Sequence, residues 1–359
     1  MRCVNPSFWK SKKVFLTGHT GFKGAWLSLW LSSMGAKVTG FSLSPKTFPN
    51  LYEVLGINRL IFSSVIGDIR DLGCLQKAMN ASDPDIVIHM AAQPLVRYSY
   101  SYPVETYATN VLGTVHLLEA TRFNKSIRAT IIITTDKCYE NKEWVWGYRE
   151  NESMGGVDPY SSSKGCAELV TSAYRESFFS VKSFHEHQNA IASARAGNVI
   201  GGGDWSNDRL VPDAIMAFER GVPLIIRNPN ATRPWQHVLE PLSGYLVLAE
   251  SLYEKGPKYV GAWNFGPEDK DVKTVKDVID LISEGWDSNS NWQKGCSDNL
   301  HEAQLLKLDC SKANFYLDWR SKWNVNKAIE KILDWQRAYK AKVDMQMFSL
   351  SQISSYCES

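Results

Sequence analysis

The stretch that decides the fold is the run Thr17-Gly18-His19-Thr20-Gly21-Phe22-Lys23-Gly24. It lies between an apolar run, Lys13 to Leu16, and a stretch with helical spacing, Gly24 to Met34. Glycines between a strand and a helix allow a tight turn and let backbone N–H groups approach a pyrophosphate closely. The strand–glycine–helix order therefore predicts a dinucleotide-binding loop. Its expected cofactor-binding residues are Gly18, Gly21, Phe22, Lys23 and Gly24.

Apolar runs alternate with helical patterns through much of the chain. The strand candidates are Lys13 to Leu16, Lys37 to Phe41, Leu60 to Ile66, Asp85 to His89, Ala129 to Thr134, Ala192 to Ala196 and Val260 to Phe265. The helix candidates are Gly24 to Met34, Asp71 to Asn80, Pro103 to Phe123 and Tyr160 to Phe179. Such alternation is typical of a parallel sheet covered by helices. We therefore predict an α/β fold, a Rossmann-type doubly wound parallel sheet with a smaller mixed α/β substrate-binding domain.

The texture of the sequence changes after Val199, where segments rich in glycine, proline and arginine follow one another. Irregular segments of this kind suit a ligand-closing region attached to a rigid sheet. We predict a dinucleotide-binding Rossmann domain from 1–200 and about 236–268, and a sugar-nucleotide-binding domain from about 201–235 and 269–345. The chain from Lys342 onwards is weakly patterned, so we expect 346–359 to be a poorly ordered tail.

The glycines follow the spacing Gly-x-x-Gly-x-x-Gly. This spacing resembles that of the extended branch of the short-chain dehydrogenase/reductase superfamily. The resemblance implies that Asp68 binds the adenine amine and that Ile69 contacts the adenine ring. It also implies that Ala91 and Ala92 lie against the cofactor, because small residues allow close approach. An alternative for Asp68 is that it caps the next helix.

The second predicted strand ends at Phe41-Ser42-Leu43-Ser44, without a carboxylate. An acidic residue about 20 positions past the glycines usually binds the adenosine ribose. Ser42 can hydrogen-bond the ribose instead, so the residues alone do not exclude NADP. The resemblance implies NAD, tightly bound and recycled in each turnover.

Tyr160 and Lys164 lie four residues apart at the start of a predicted helix. Side chains at this spacing project from one face of a helix. A tyrosine hydroxyl titrates near pH ~10, and a nearby ammonium together with the nicotinamide charge is expected to lower that pKa. The pair is therefore predicted to contact the cofactor and to accept a proton from a sugar hydroxyl as a hydride leaves.

The tripeptide Thr135-Asp136-Lys137 follows a predicted strand, at the sheet edge where open α/β folds bind ligands. It resembles the Thr-Asp-Glu or Thr-Asp-Lys string of nucleotide-sugar 4,6-dehydratases. Oxidation at C4 of a hexose makes the C5 proton removable, and loss of the 6-hydroxyl then needs a base at C5 and an acid at O6. We expect Lys137 to be the base and a protonated Asp136 the acid, with Thr135 hydrogen-bonded to the C4 oxygen. The alternative is a surface turn with an Asp–Lys contact.

A group of polar, basic and aromatic residues lies at and beyond the end of the sixth predicted strand. The predicted substrate-binding residues are Arg195, Asn198, Arg209, Arg227, Arg233 and Trp235. Arg233 is the expected diphosphate clamp, because a guanidinium fork fits phosphate oxygens. Arg227 and Arg233 could equally form surface salt bridges, and Trp235 could stack on a base or fill the domain interface.

Three strings together are similar to those of the CDP-glucose 4,6-dehydratase family: Gly-His-Thr-Gly-Phe-Lys-Gly, Thr-Asp-Lys-Cys-Tyr-Glu-Asn and Arg-Pro-Trp-Gln-His-Val. The resemblance runs from about Trp9 to Trp335. It implies CDP-glucose as substrate and CDP-4-dehydro-6-deoxyglucose as product, for the 3,6-dideoxyhexoses of bacterial O-antigen. It further implies a homodimer or a dimer of dimers, formed through Pro103 to Phe123 and Tyr160 to Phe179. Residue chemistry alone does not distinguish cytosine from uracil or thymine.

The composition is that of an ordinary globular protein, with 44% hydrophobic and 22% charged residues. The net charge of +2 and the lack of a basic stripe argue against a nucleic-acid partner. No apolar run has the length of a membrane span, and Met1 to Lys13 lacks an apolar signal core, so we expect a cytoplasmic protein. The seven cysteines lack metal-type spacing, which predicts reduced thiols and no metal site.

The residues leave alternatives open. One is a dehydratase of another nucleotide-activated hexose. A second is a sugar-nucleotide 4-epimerase or reductase, which would share everything except Asp136 and Lys137. A third, of a different class, is a non-catalytic dinucleotide-sensing regulator, which would be expected to lack Tyr160 and Lys164.

Overall fold

Seven parallel strands form the central sheet of the computed structural model, which describes residues 1–286, 291–295 and 303–359. The strands are β1 (Lys13–Thr17), β2 (Lys37–Ser42), β3 (Ser63–Ile66), β4 (Ile86–His89), β5 (Ala129–Ile133), β6 (Ala190–Ala196) and β7 (Gly261–Phe265). Their spatial order is β7-β6-β5-β4-β1-β2-β3, and neighbouring strands run parallel. The strand order reverses between β1 and β4, as in a doubly wound sheet. The predicted fold class is confirmed.

The inner strands are buried on both faces, as expected where helices cover both sides of a parallel sheet. Every residue of β4 and of β5 is buried. The register places Val14 of β1 between Val38 of β2 and Ile86 of β4, so apolar side chains line up across the sheet. This rigid sheet holds the loops that follow its strands.

The longer helices are α1 (Phe22–Ser33), α2 (Leu72–Ser82), α3 (Gly113–Arg122), α4 (Pro159–Phe178), α5 (Leu210–Glu219), α6 (Leu239–Lys255), α7 (Val275–Trp286), α8 (Val325–Lys340) and α9 (Met345–Glu358). The shorter helical segments are Pro6–Trp9, Leu51–Val54, Ile57–Leu60, Val96–Ser101, Pro103–Tyr107, Ala108–Leu112, Asp136–Cys138, Val181–Ser183, Phe184–His187, Gly256–Tyr259, Asp269–Asp271 and Ala313–Leu317. Short strands pair outside the main sheet: Val199–Ile200 with Gln236–His237, Leu224–Ile226 with Trp292–Lys294, and Thr232–Arg233 with Lys273–Thr274.

Some predicted boundaries differ from the structure. The helix predicted from Pro103 to Phe123 is interrupted by a π-helical turn, Ala108–Leu112, before α3 begins. The strand predicted from Leu60 to Ile66 begins only at Ser63, because the chain before it forms a helical turn. Short apolar runs do not by themselves distinguish a strand from a buried helical turn.

The expectation of a poorly ordered tail is wrong. Residues Met345–Glu358 form α9, whose Tyr356 is buried in the main core and donates a hydrogen bond to Glu240 Oε2 at 2.7 Å. Ser349 Oγ accepts a hydrogen bond from the Trp335 indole at 3.0 Å. Because α9 is rich in serine and glutamine, its hydrophobic pattern is weak, and buried hydrogen bonds supplement its few apolar contacts.

A second hydrophobic core is built from α5, α7 and α8 and is separate from the core beside the sheet. It includes Val211, Ile279 and Ile329, and so joins the segments 201–235 and 269–345 that the sequence assigns to the smaller domain. Residues 287–290 and 296–302 of that assignment lie outside the described residues. The division into two domains stays a prediction, which this second core supports.

Candidate active site

A cleft of about 690 Å³ lies at the carboxyl edge of the sheet, where the loops after β1 to β6 meet. Ligands bind at this edge in open α/β folds. The predicted site residues that line it are Gly18, Gly21, Phe22, Lys23, Gly24, Ser42, Asp68, Ile69, Ala91, Ala92, Thr135, Asp136, Lys137, Tyr160, Lys164, Asn198, Arg209, Arg227, Arg233 and Trp235. Of the predicted set, Arg195 alone does not line the cleft.

The glycine loop is shaped for close backbone approach. Gly18 has a φ of +80°, and a Cβ placed there would come within 2.8 Å of the Ala91 nitrogen. A Cβ at Gly24 would lie 2.0 Å from the Gly18 carbonyl oxygen. A side chain at either position would therefore clash with the backbone of the turn that leads into α1. The N-terminus of α1 opens onto the cleft, and its N–H groups suit a pyrophosphate.

Asp68 and Ser42 lie in the part of the cleft beyond β2 and β3. The guanidinium of Arg70 binds the Asp68 carboxylate, with Nη2 at 2.6 Å from Oδ2, and this hydrogen bond lowers the pKa of Asp68. Asp71 caps α2 by accepting from Cys74 N, so the alternative that Asp68 is the helix cap is wrong. Ser42 Oγ lies 2.9 Å from Thr20 Oγ1.

Tyr160 and Lys164 are held on one face of α4. Asp158 caps this helix by accepting a hydrogen bond from Ser161 N at 2.9 Å, which places Tyr160 in the first turn. Lys164 Nζ donates to the Ile133 carbonyl at the end of β5, at 3.1 Å. Both side chains are buried, with 9% of Tyr160 and 7% of Lys164 exposed.

Burial controls the protonation of this pair. It lowers the pKa of Lys164 to about 8, although the charge of Glu168 acts in the opposite direction. Burial also raises the pKa of Tyr160 to about 12, against a hydrogen bond with Thr135 that lowers it. The sequence predicted that a nearby ammonium would lower the tyrosine pKa. The protein's own groups raise it, because the loss of hydration outweighs the polar contacts.

Asp136 is only 1% exposed, and burial raises its pKa. It begins the short helix Asp136–Cys138, which Thr135 caps. Thr135 Oγ1 donates to Asp136 Oδ1 at 2.9 Å, whereas Oδ2 makes no hydrogen bond to the described residues. The arrangement therefore presents a buried carboxyl that favours its protonated form beside Tyr160. The alternative of an exposed surface turn at Asp136 is wrong.

Lys23 is a further buried cation close to this group. Burial, together with the charges of Lys164 and Arg209, lowers the pKa of Lys23 to about 7. Its Nζ lies 3.5 Å from the Tyr245 hydroxyl. The sequence placed Lys23 in the cofactor loop, but its proximity to the predicted catalytic residues arises only in the fold.

Arg195 requires a correction. The sequence predicted that it binds substrate, but its side chain is buried behind the cleft, where Nη2 lies 2.7 Å from Glu168 Oε2. Nη1 donates to the Tyr139 hydroxyl at 2.7 Å. Arg195 is therefore not placed to bind substrate, because Nη1 and Nη2 donate to protein atoms behind the cleft.

The remaining residues at the substrate end surround the mouth of the cleft. Arg233 is 5% exposed, and its Nη1 donates to the Thr232 carbonyl at 2.9 Å. Trp235 Nε1 donates to the Lys273 carbonyl at 3.1 Å, which fixes the indole in the second core. Arg209 Nη1 lies 3.2 Å from Asp204 Oδ2, which also lines the cleft.

Sequence reasoning missed two residues behind the site. Asn110, in the π-helical turn, accepts from Gln93 N at 2.8 Å and donates to Ser163 Oγ at 2.8 Å, next to Lys164. Glu168 bonds Thr134, immediately before the tripeptide. Glu168 follows Lys164 by four residues, so helical spacing could have placed it on the catalytic face. No local signal marks Asn110.

The described residues contain no group of three or more histidine, cysteine or acidic side chains that could hold a metal. In the same residues, no helix is both long and apolar enough to pass through a bilayer.

The strand order, the glycine loop and the Tyr160–Lys164 pair define a dinucleotide-binding protein of the extended short-chain dehydrogenase/reductase class. A family model described as GDP-mannose 4,6 dehydratase matches residues 15–332. The chain belongs to this family.

Individual relatives support the assignment. The chain is 54% identical to the CDP-glucose 4,6-dehydratase of Salmonella typhimurium over 353 residues, covering 98% of each protein. The dTDP-glucose 4,6-dehydratase of Bacillus anthracis, solved with NAD, superposes with a TM-score of 0.75 at 20% identity and covers 94% of this chain and 100% of its own. The UDP-glucose 4-epimerase of Thermotoga maritima gives a TM-score of 0.77 at 20% identity, covering 91% and 99%. The two superpositions show the fold, and the predicted dehydratase resemblance is confirmed by the first relative.

Proposed function

We propose that this protein is a CDP-glucose 4,6-dehydratase that converts CDP-D-glucose to CDP-4-dehydro-6-deoxy-D-glucose and water. The observation that carries the dehydration is the buried Asp136 carboxyl, which lies in the cleft with Tyr160 and Lys137. An epimerase or reductase has no use for an acid at that position. The 54% identity to the Salmonella enzyme supports CDP-glucose among the nucleotide sugars and a role in O-antigen precursor synthesis.

NAD is the proposed cofactor. The turn at Gly18 and the N-terminus of α1 fit its pyrophosphate, because glycines at positions 18 and 24 allow a close backbone turn that a Cβ would prevent. Ser42 would hold the adenosine ribose, and Asp68 with Ile69 the adenine. Bound NAD supplies the hydride acceptor at C4 and, once reduced, the hydride donor at C6.

The Tyr160–Lys164 pair removes the proton of the C4 hydroxyl. The pKa of Lys164 is about 8 and that of Tyr160 about 12, so the pair loses its first proton from Lys164. Tyr160 is the member whose hydroxyl meets the sugar: as it takes the C4 hydroxyl proton, its own proton passes to the neutral Lys164 amine, which becomes an ammonium. Thr135 holds the C4 oxygen beside Tyr160.

Asp136 and Lys137 perform the elimination. Lys137 takes the C5 proton, which the C4 ketone has made removable, while Asp136 gives its proton to the 6-hydroxyl as it leaves as water. Burial raises the pKa of Asp136, which favours the protonated carboxyl that this step needs. Lys137 then returns a proton to C5 as a hydride reaches C6, so the reaction has no net redox change.

The proposed substrate contacts are Asn198, Arg209, Arg227, Arg233 and Trp235, all of which line the cleft. Arginine is suited to a diphosphate because its N–H groups pair with two oxygens at once. Arg233 is the clamp that we favour, since it is buried and close enough to Asp136 for its charge to lower the pKa of that carboxyl.

The proposed assembly is a homodimer or a dimer of dimers in the cytoplasm. Large apolar side chains are exposed on the helices predicted to form the interface, including Val104 at 82% and Leu169 at 59%. Burying such groups is favourable. The cysteines that the structure describes are free thiols, which supports a reducing compartment.

The test is to incubate the protein with NAD and, separately, with CDP-glucose, dTDP-glucose, UDP-glucose and GDP-mannose. We expect a 4-keto-6-deoxy product from CDP-glucose at the highest kcat/KM. Dehydration of another of these sugars in preference would overturn the assigned base. Formation of such a product from none of them would overturn the dehydratase.

A further inference from the structure

An ion pair buried behind the cleft links the helix that carries Tyr160 and Lys164 to the turn that carries the catalytic tripeptide. Glu168 and Arg195 are 5% and 4% exposed, and Arg195 Nη2 lies 2.7 Å from Glu168 Oε2. Glu168 lies on α4, four residues after Lys164 and eight after Tyr160, and therefore on the same helical face. Arg195 lies near the end of β6. Neither residue lines the cleft.

The pair holds the chain on both sides of the catalytic tripeptide. Before the tripeptide, Thr134 Oγ1 donates to Glu168 Oε1 at 2.5 Å. After the tripeptide, the Tyr139 hydroxyl accepts from Arg195 Nη1 at 2.7 Å and donates to Asn264 Oδ1 at 2.7 Å. The turn carrying Thr135, Asp136 and Lys137 is thus fixed between these two anchors.

Glu168 keeps its charge in this buried position. Burial acts to raise the pKa of Glu168, but the charge of Arg195 and hydrogen bonds from Arg195, Ser193 and Thr134 lower it below its usual value. Ser193 Oγ donates to Oε2 at 2.7 Å. The carboxylate is therefore ionised and fully hydrogen-bonded.

The other titratable groups in this region do not supply negative charge to Lys164. The titratable groups that interact electrostatically with Lys164 or Arg195 include His89, Cys138, Tyr139, Glu150 and Lys23. Burial lowers the pKa of His89 to about 3 and raises the pKa of Cys138, so both are neutral near pH ~7. Lys23, where charged, is positive. Glu150 and Tyr139 interact with Arg195, and neither is among the groups that shift the pKa of Lys164.

We propose that Glu168 is a positioning residue for the dehydration: it fixes the tripeptide against the Tyr160–Lys164 helix, and its negative charge stabilises the Lys164 ammonium that forms when the pair takes up the C4 proton. Arg195 acts through Glu168, because it keeps the carboxylate ionised and anchors the far side of the turn. The proposal rests on the proposed function. A purely structural ion pair would stabilise the fold and leave the titration of the catalytic pair unchanged.

The test compares wild type with Glu168→Gln, Glu168→Asp and the double variant Glu168→Gln/Arg195→Met. Glutamine retains an acceptor for Thr134 but removes the charge. The double variant removes both charges, so no unpaired ion is left buried and the fold is preserved. Glu250→Gln is the matched control, because Glu250 is 1% exposed, pairs with Arg2 at 3.0 Å and lies outside the cleft.

The measurements are the unfolding midpoint, kcat and KM for CDP-glucose, and the pH midpoint of C4 oxidation in a single turnover. Loss of a nearby negative charge favours deprotonation, so Glu168→Gln should lower that pH midpoint by about one unit. The double variant should lower it by less, because Arg195→Met also removes a positive charge. We expect kcat to fall about 100-fold through misplacement of the tripeptide, with KM changed by less than about threefold. Glu168→Asp should keep the pH midpoint and lose kcat, because the charge remains but the reach is shorter. Glu250→Gln should lower only the unfolding midpoint.

Recovery of both kcat and the pH midpoint in the double variant would overturn the proposal, as would an unshifted midpoint in a folded Glu168→Gln protein. If wild type dehydrates CDP-glucose, either of these results overturns only the role of Glu168 and leaves the proposed function intact. If wild type dehydrates none of the four nucleotide sugars, the proposed function fails and the role of Glu168 falls with it.

Discussion

The two ends of the cleft hold their charges in different ways. At the reaction end, Asp136, Tyr160 and Lys164 are buried, and burial shifts the pKa of each in the direction that favours the neutral side chain. At the adenosine end, Asp68 is partly exposed and pairs with Arg70, which lowers its pKa and keeps it ionised. The groups at the reaction end can therefore exchange protons during turnover, whereas Asp68 serves only to bind. Variants at the two ends should therefore fail in different ways.

The largest effect is expected from Tyr160→Phe. Without the hydroxyl, the C4 proton has no acceptor, so kcat should fall about 10³-fold while NAD still binds. Steady-state rates and NAD titration check this. Tyr253→Phe, outside the cleft, is the control and should keep wild-type kcat. A loss of less than about tenfold in Tyr160→Phe would contradict the role of this residue.

Asp136→Asn should uncouple oxidation from water loss. The amide cannot give a proton to the 6-hydroxyl, so product formation should fall about 10²- to 10³-fold. Reduced nicotinamide should still form on the enzyme, visible by its absorbance. Asp334→Asn, a partly exposed residue paired with Arg337, serves as the control. Equal losses of oxidation and of elimination would show that Asp136 is not specific to the second step.

The pH dependence of C4 oxidation should report the Tyr160–Lys164 pair. The pair must lose one proton before it can accept another, so the single-turnover rate should rise with pH through about 8, the pKa of Lys164. Below that pH the rate should fall about tenfold per unit. A rate that is independent of pH between about 6 and 9 would show that deprotonation of Lys164 does not control C4 oxidation.

Asp68→Asn should produce the smallest effect, confined to cofactor affinity. Removing a charged acceptor weakens a hydrogen bond by about 1.5–2 kcal/mol, or about tenfold to thirtyfold in the Kd for NAD. At saturating NAD, kcat should match wild type. Calorimetry and saturation kinetics measure the two quantities, and a lower kcat at saturation would break the distinction between the two ends.

The adenosine end and the sheet could be predicted because their signals are local. Gly18 and Gly24 lie in a short run between a strand and a helix, and the strands are continuous apolar segments. Gly18, Asp68, Ala91 and Thr135 line one cleft because each follows a strand, and parallel strands end at one edge.

The features that sequence did not reveal depend on tertiary partners. Arg195 looked like an anion ligand because nothing in the sequence shows that Glu168 lies opposite it in the fold. The raised pKa of Tyr160 arises from burial, which the four-residue spacing of Tyr160 and Lys164 does not reveal. The helix α9 is held by hydrogen bonds such as Tyr356 to Glu240, which leave no hydrophobic periodicity.

The most direct test of the central claim, that the tripeptide converts an oxidation into an elimination, is solvent-deuterium exchange at C5 in Lys137→Ala. Wild type in D₂O should give a product labelled at C5. Lys137→Ala should still reduce bound NAD but incorporate no deuterium at C5, while Lys142→Ala, outside the cleft, should behave as wild type. Exchange at the wild-type rate in Lys137→Ala would contradict the account.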